Sequence, residues 1–238
     1  MYHGAILHGY QYMTAELENT PTTYYSERSG IGRMIVAKRQ SSTLKVGVVG
    51  LGVGTIAAYG QAGDTIRFYE INPLVIGLAH DPFTFLSNSP ATTEVVSGDA
   101  RLSLEREQPQ RFDLLVLDAF SGDSIPVHLL TLEAMAVYLR HMKPDGVIAI
   151  HVSNRYVNLA PVVDRLAATN KLHQWMILQD EMKYLELAAS QWILLAADPH
   201  AFEHPDLQAN GEAPKSWPEF AVWTDDFNNL FELLQPAY

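Results

Sequence analysis

The chain has 238 residues, 47% of them hydrophobic, with a net charge of −11 from 16 basic and 27 acidic side chains and no cysteine. At roughly 100–200 residues per domain this is one large domain, or one with a small appendage, and its apolar content is ample for a core. The acidic balance argues against nonspecific nucleic-acid binding and an anionic membrane surface, while the missing cysteine excludes disulfides, thiolate zinc sites, iron–sulfur clusters and a cysteine nucleophile, and fits a reducing compartment. Residues 1–40 read as short extended pieces, His3–Leu7, Tyr10–Leu17 and Ile31–Lys38, separated by turn-forming Asn19–Pro21 and Glu27–Gly30. Such a small β region cannot bury a core alone and is expected to pack on residues 41–238.

From Leu44 onward apolar, β-type runs recur at Val46–Val49, Thr65–Tyr69, Thr93–Val96, Leu114–Leu117, Val147–Val152, Trp175–Leu178 and Trp192–Ala196. Helical patterns lie between most of them, at Gly54–Gln61, Pro73–His80, Ala100–Glu107, Leu132–His141 and Leu159–Thr169. Alternating strands and helices predict a mostly parallel sheet covered on both faces. The last two strands lack a helix between them, which predicts an antiparallel hairpin at the edge. Seven strands with that ending are the layout of the class I methyltransferase-like Rossmann fold, an α/β architecture. Asp198–Pro218 reads as loop, and Trp223–Leu234 as a helix capped by Asp225 or Asp226. No apolar run approaches the roughly 20 residues that span a bilayer, and the start has neither a basic segment nor a long apolar one. The expectation is a soluble, cytoplasmic chain without direct membrane insertion, either short by nature or the soluble part of a longer membrane-linked protein.

The strongest local signal is Val46-Gly47-Val48-Val49-Gly50-Leu51-Gly52-Val53-Gly54-Thr55. A buried strand runs into closely spaced glycines, where a ligand can touch the main chain. The spacing of Gly50, Gly52 and Gly54 departs from the dinucleotide fingerprint, whose third glycine falls where Thr55 stands. It favours a nucleoside-sulfonium ligand over a nicotinamide dinucleotide. The plain alternative is a tight strand–helix turn without a ligand. Glu70, 20 residues beyond Gly50, ends the second strand, where an acid accepts hydrogen bonds from vicinal ribose hydroxyls. Asp99, before Ala100, follows the third and suits an adenine amino group, or simply a helix N-cap. Asp118 closes the fourth and faces the reacting end of such a ligand, as a base or a cation holder. Asp123, in the loop behind it, is either a second negative charge or a turn residue. The nine histidines include no HxxxH pair on an expected helix, so no metal is expected.

These motifs resemble the spermidine synthase and polyamine aminopropyltransferase family, in the branch often fused to a membrane transporter-like region. The matching segments are His8-Gly9-Tyr10-Gln11, Pro21-Thr22-Thr23-Tyr24-Tyr25 and Ser29-Gly30-Ile31-Gly32, then the glycine loop, Glu70, Gly98-Asp99-Ala100 and Asp118. His151-Val152-Ser153-Asn154-Arg155-Tyr156 and Trp223-Thr224-Asp225-Asp226-Phe227-Asn228-Asn229-Leu230 follow. The resemblance implies a homodimer that moves an aminopropyl group from decarboxylated S-adenosylmethionine to a small amine without a metal. It implies Gly50, Gly52, Gly54, Glu70, Asp99 and Ala100 as the cofactor cradle, with Gln11 near the aminopropyl end. It implies Asp118 as the catalytic base or amine holder, with Tyr25 or Tyr24 assisting; Tyr24 and Asp123 are expected on the acceptor side. Val53 stands where the family usually has an acid that meets the cofactor's free amine, and Thr20-Pro21-Thr22-Thr23 stands in place of an acidic pair. Two other functions are therefore carried forward: methyl transfer from S-adenosylmethionine, and a silent nucleoside-binding domain.

Overall fold

The computed structural model describes residues 1–3, 6–7, 9–39, 43–119, 126–154, 156–182 and 187–235. In chain order the elements are β1 (Tyr2–His3), β2 (Ile6–Leu7), α1 (Gly30–Lys38), β3 (Lys45–Val49), β4 (Thr65–Glu70), α2 (Pro73–His80), α3 (Phe85–Asn88) and β5 (Thr92–Ser97). They continue with α4 (Ala100–Arg106), β6 (Phe112–Leu117), α5 (Leu132–Arg140), β7 (Met142–His151), α6 (Ala160–Thr169), β8 (His173–Gln179), β9 (Ser190–Ala196), α7 (Pro205–Asn210) and β10 (Gly211–Glu212). The main sheet has the order β10-β8-β9-β7-β6-β3-β4-β5. Strands β3 to β7 run parallel, β9 pairs antiparallel to β7, and β8 pairs antiparallel to β9. The expected parallel sheet with an antiparallel edge hairpin is thus present. The two-residue β10 extends the seven expected strands to eight.

Each central strand feeds two cores, because successive side chains point to opposite faces. Leu114 and Val116 of β6 join Ile31, Met34 and Ile35 of α1 and Phe85 of α3 on one face. Leu115 and Leu117 join Leu104 of α4, Met135 and Tyr138 of α5 and Val162 and Leu166 of α6 on the other. Phe112 falls with the second group against its parity, because the β6–β7 register shifts between Phe112 and Leu114.

Several sequence expectations are corrected. Ile31–Lys38 is a helix, not a strand: Ser29 caps it by accepting from the Gly32 amide, and Ile31, Met34 and Ile35 recur at one-face helical spacing. The β-branched content of the segment had pointed the other way. Tyr10–Leu17 forms no strand; its end is closed by turns from the Thr14 carbonyl to the Leu17 and Glu18 amides. The helix expected at Gly54–Gln61 is a 3₁₀ turn at Thr55–Tyr59. Asp198–Pro218 is not all loop, since it holds a 3₁₀ turn at Pro199–Phe202, then α7 and β10. Trp223–Leu234 is mostly irregular and ends in a 3₁₀ turn at Leu230–Leu233.

Asp225 caps nothing there. Both its oxygens accept from the Arg101 guanidinium at 2.6 Å, and one accepts from the Thr131 hydroxyl. The Arg101 hydrogen bonds, aided by Thr131, hold its pKa down to about 2. With a depressed folded-state value, its contribution is complete above the ordinary carboxylate range near 4 and is lost as pH falls through about 2. The Asp225 carboxylate is solvent-exposed, so Asp225→Asn is expected to lower stability at neutral pH by under about 1 kcal/mol. Urea unfolding across a pH series checks this: the gap to the wild type should close between about pH 4 and pH 2.

Candidate active site

The sheet changes direction between β3 and β6, whose next neighbours in sequence lie on opposite sides. In open α/β sheets a crevice opens at the carboxyl ends of such strands. Here the Asp118 amide donates to the Val49 carbonyl and the Gly50 amide to the Tyr69 carbonyl, both at 2.9 Å. Gly50 has φ +98°, and a Cβ on it would lie 2.4 Å from the Asp118 carbonyl oxygen. Only glycine suits this turn, on both counts.

A cavity of about 450 Å³ opens above this seam, within the usual range for small-molecule sites. Gly50, Gly52, Glu70, Asp99, Ala100 and Asp118 line it, as do Tyr24 and Tyr25. Eight of the expected site residues therefore share one cavity with the fold's switch point. Gln11 and Gly54 are placed elsewhere. The Gln11 amide is committed to the Glu18 carbonyl and to Thr84, and Gly54 faces the Leu86 side chain from the start of the 3₁₀ turn. Asp123 lies outside the described residues.

Glu70 is oriented by two backbone donors: the Leu51 amide at 3.1 Å and the Asn72 amide at 2.8 Å reach its separate oxygens. Each oxygen keeps a lone pair for a further donor. Asp99 caps α4 through the Leu102 amide and meets His128 Nε2 at 2.8 Å. Burial pushes its pKa up, but those donors outweigh burial and hold it below the ordinary carboxylate value. Ile71 and Leu74, 67% and 75% exposed, present apolar surface at the same end of the cavity.

The other end is built around Asp118. Its Oδ2 accepts from the Tyr25 hydroxyl, and its Oδ1 meets His151 Nδ1 at 2.6 Å. Burial first, and then the Asp118 charge, push the Tyr25 hydroxyl well above its ordinary pKa, so it stays a proton donor. Tyr24 is raised for the same two reasons. The tyrosine segment is clamped from several sides. Tyr59 donates to the Tyr25 carbonyl, Trp192 Nε1 donates to the Tyr24 carbonyl, and Ser26 bonds Gln179 of β8. Thr23 has φ +56°, a conformation that a β-branched residue keeps only when its surroundings impose it.

His151, His128 and Trp192 belong to this neighbourhood and were not singled out as site residues from the sequence. His151 was findable. It ends β7, one residue past Ile150, which pairs with Leu117 of β6, so the strand-end logic that located Asp118 extends to it. His128 and Trp192 carry no such signal, because only tertiary packing brings them in.

No protein-family model matches the chain. It is 32% identical to the polyamine aminopropyltransferase of Vibrio vulnificus (strain CMCP6) over 108 residues, 42% of this chain and 35% of that protein. It is 34% identical over 105 residues to the N-terminal histidine N-methyltransferase of Emericella nidulans, 44% of this chain and 19% of that protein. The chain thus spans well under half the length of the curated relatives it matches. Human methyltransferase-like protein 13, solved in complex with SAH, superposes with a TM-score of 0.53 at 17% identity, covering 82% of this chain and 96% of its own. Solved spermidine synthases share the fold at similarly low identity. The architecture is the class I methyltransferase-like Rossmann fold, and in sequence the chain is similar to the spermidine-synthase-like transferases.

Proposed function

We propose that this chain is a transferase that moves the aminopropyl group of decarboxylated S-adenosylmethionine to a small amine acceptor. The observation that carries the reading is the Asp118 carboxylate, buried at the switch point under the Tyr25 hydroxyl in the cavity that Glu70 and Asp99 also line. An adenosyl group fits the residues of the opposite end. Gly50 and Gly52 leave the main chain open, Glu70 is pre-set for the ribose diol, and Asp99 with the Ile71–Leu74 surface suits adenine. Residues 41–238 form the nucleoside-binding unit in this proposal, with residues 1–40 as the cover that brings Tyr24 and Tyr25.

The sulfonium supplies a good leaving group. Asp118 holds the acceptor amine at the cavity's far end, and Tyr24 and Tyr25 exclude water around it. The amine nitrogen forms its new bond to the aminopropyl carbon as the carbon–sulfur bond breaks, its electron pair passing to sulfur. The secondary ammonium so formed releases a proton to Asp118, which leaves the neutral secondary amine. Alignment of this kind supplies several kcal/mol. In this reading the chain is a cytoplasmic homodimer: the family resemblance implies the dimer, and the absence of cysteine suits a reducing compartment; sedimentation velocity reads the dimer.

Methyl transfer from S-adenosylmethionine is the second reading, favoured by Val53. That side chain is buried and packs against Gly9, so it offers no acid to the free amine of a decarboxylated cofactor. Paired calorimetric titrations separate the two. Tighter binding of decarboxylated S-adenosylmethionine, with methylthioadenosine released in the presence of an amine, is the expected result. Preference for the carboxylated form, with S-adenosylhomocysteine as product, overturns it. Binding of either without any product identifies a silent nucleoside-binding domain.

A further inference from the structure

The Asp118 carboxylate has a partner that neither the glycine loop nor the strand-end acids account for. His151 closes β7, next to β6 in the sheet, and its Nδ1 lies 2.6 Å from Asp118 Oδ1. Both side chains are almost wholly buried, at 5% and 3% exposure. A carboxylate that deep must be met by donors on its oxygens, and Tyr25 serves only Oδ2.

The imidazole plane is itself fixed. His151 and Trp192 are directly opposed in the β7–β9 ladder, and their rings stack at 4.5 Å and 13°. The Tyr24 ring also stacks on the imidazole, at 4.9 Å and 30°. Trp192 is held in turn by its hydrogen bond to the Tyr24 carbonyl and by Gly30, where a Cβ would lie 2.5 Å from the Trp192 Cβ. The first helix, the acceptor-side tyrosines and the edge hairpin therefore converge on one ring.

The chain contains its own contrast. His141 is equally buried, but its ring nitrogens serve main-chain groups, the Leu104 carbonyl and the Gln110 amide, at 2.8 and 3.1 Å. That is a core histidine satisfied by backbone. His151 instead spends its Nδ1 on Asp118, a carboxylate that lines the cavity.

We propose that His151 is a positioning residue for Asp118. It presents an Nδ1–H to Oδ1 while the Tyr25 hydroxyl serves Oδ2, and so fixes the carboxylate as an oriented anion facing the acceptor. The proposal rests on the group-transfer reading above, and its test is arranged so that the two can fail separately.

Two arms decide it. In the first, ¹⁵N-imidazole NMR of the full chain reads the His151 tautomer, assigned by the signal lost in His151→Phe. An Nδ1-protonated ring, whose resonance moves in Asp118→Asn, is expected; an unprotonated Nδ1 acting as acceptor overturns the assignment. In the second, His151→Phe keeps an aromatic ring between Tyr24 and Trp192 but removes the donor. Its kcat for group transfer is expected to fall roughly 10–100-fold, the scale seen when a partner that orients a metal-ligating side chain is lost, while affinity for S-adenosylhomocysteine or methylthioadenosine changes less than about 2-fold. His151→Asn places an amide N–H near the Nδ1 position and should recover much of the loss. A packing role predicts the reverse order, with Phe active and Asn poor, and that order would sink the proposal. If His151→Phe does not fold, the wild-type tautomer and the Asn variant decide. If the wild type turns over no amine with either sulfonium, the functional reading fails and the tautomer alone judges His151.

Discussion

Asp118→Asn is expected to abolish group transfer by roughly 10²–10⁴-fold while leaving nucleoside binding nearly intact. The carboxylate accepts from Tyr25 at Oδ2, and its Oδ1 lies 2.6 Å from His151 Nδ1. An amide at this position keeps one acceptor oxygen, and its NH₂ must face one of those two partners. The negative charge that would hold an ammonium and take its proton is also gone. The nucleoside end does not depend on it: Glu70 is held by the Leu51 and Asn72 amides, and Asp99 by the Leu102 amide and His128. Calorimetry with methylthioadenosine and with S-adenosylhomocysteine should therefore return affinities within a few-fold of the wild type. With the Asp118 charge removed, the Tyr25 hydroxyl should also titrate at lower pH than before, which ultraviolet difference spectra can follow. Turnover within a few-fold of the wild type would falsify the catalytic assignment of Asp118. Loss of nucleoside binding would instead show that the two ends of the cavity are not separable.

The second large effect is expected from Gly50→Ala. The added methyl meets the Asp118 carbonyl oxygen at 2.4 Å, and the backbone stands at φ +98°. Neither side of the contact can yield easily. The carbonyl belongs to the main chain just after β6, and the Gly50 amide is tied to Tyr69. Strain at such a position and overpacking each cost on the order of 1–3 kcal/mol. The relaxation available is to part the β3 and β6 ends, which displaces Asp118 from Tyr25. Both stability in urea and turnover are expected to fall together, with nucleoside affinity. Gly77→Ala is the control. It lies within α2, where a Cβ has no neighbour within 4 Å, so stability should hold or rise by up to about 1 kcal/mol. Equal behaviour of the two alanine variants would show that the seam between β3 and β6 is slack.

The parts of this architecture that were legible in the sequence are those dictated by local periodicity. The Pro73–His80 helix falls where expected because Asn72 caps it and Pro73 opens it. The strands β3 to β9 overlap the expected runs because those runs are apolar and bounded by turns, although β7 begins five residues early, at Met142. The site was legible for the same reason: Gly50, Glu70, Asp99 and Asp118 follow consecutive strands, and the fold gathers strand ends. What stayed hidden depends on distant partners. Ile31–Lys38 has the composition of a strand; the local Ser29 cap marks where its helix starts, but its helical state rests on burial of one face against a distant sheet. Gln11 lies in a segment resembling the family's opening, yet its amide is spent on Thr84, 73 residues away. Asp225, placed as a helix cap, is claimed by Arg101, 124 residues away. No window of sequence contains both members of such a pair.

The clamp on Tyr24 and Tyr25 has an evolutionary consequence. The nucleoside end of the cavity is supplied by the ends of β3, β4 and β5, whereas the tyrosines are held from Tyr59, Gln179 and Trp192. Among the described residues, Asp118 lies where the two ends adjoin. Under the proposed function, substitutions in the tyrosine segment and the edge hairpin would alter the acceptor half and leave the donor half in place. A single ancestral scaffold of this kind can diverge into enzymes with different amines, or different transferred groups, through substitutions that leave its glycine turn untouched.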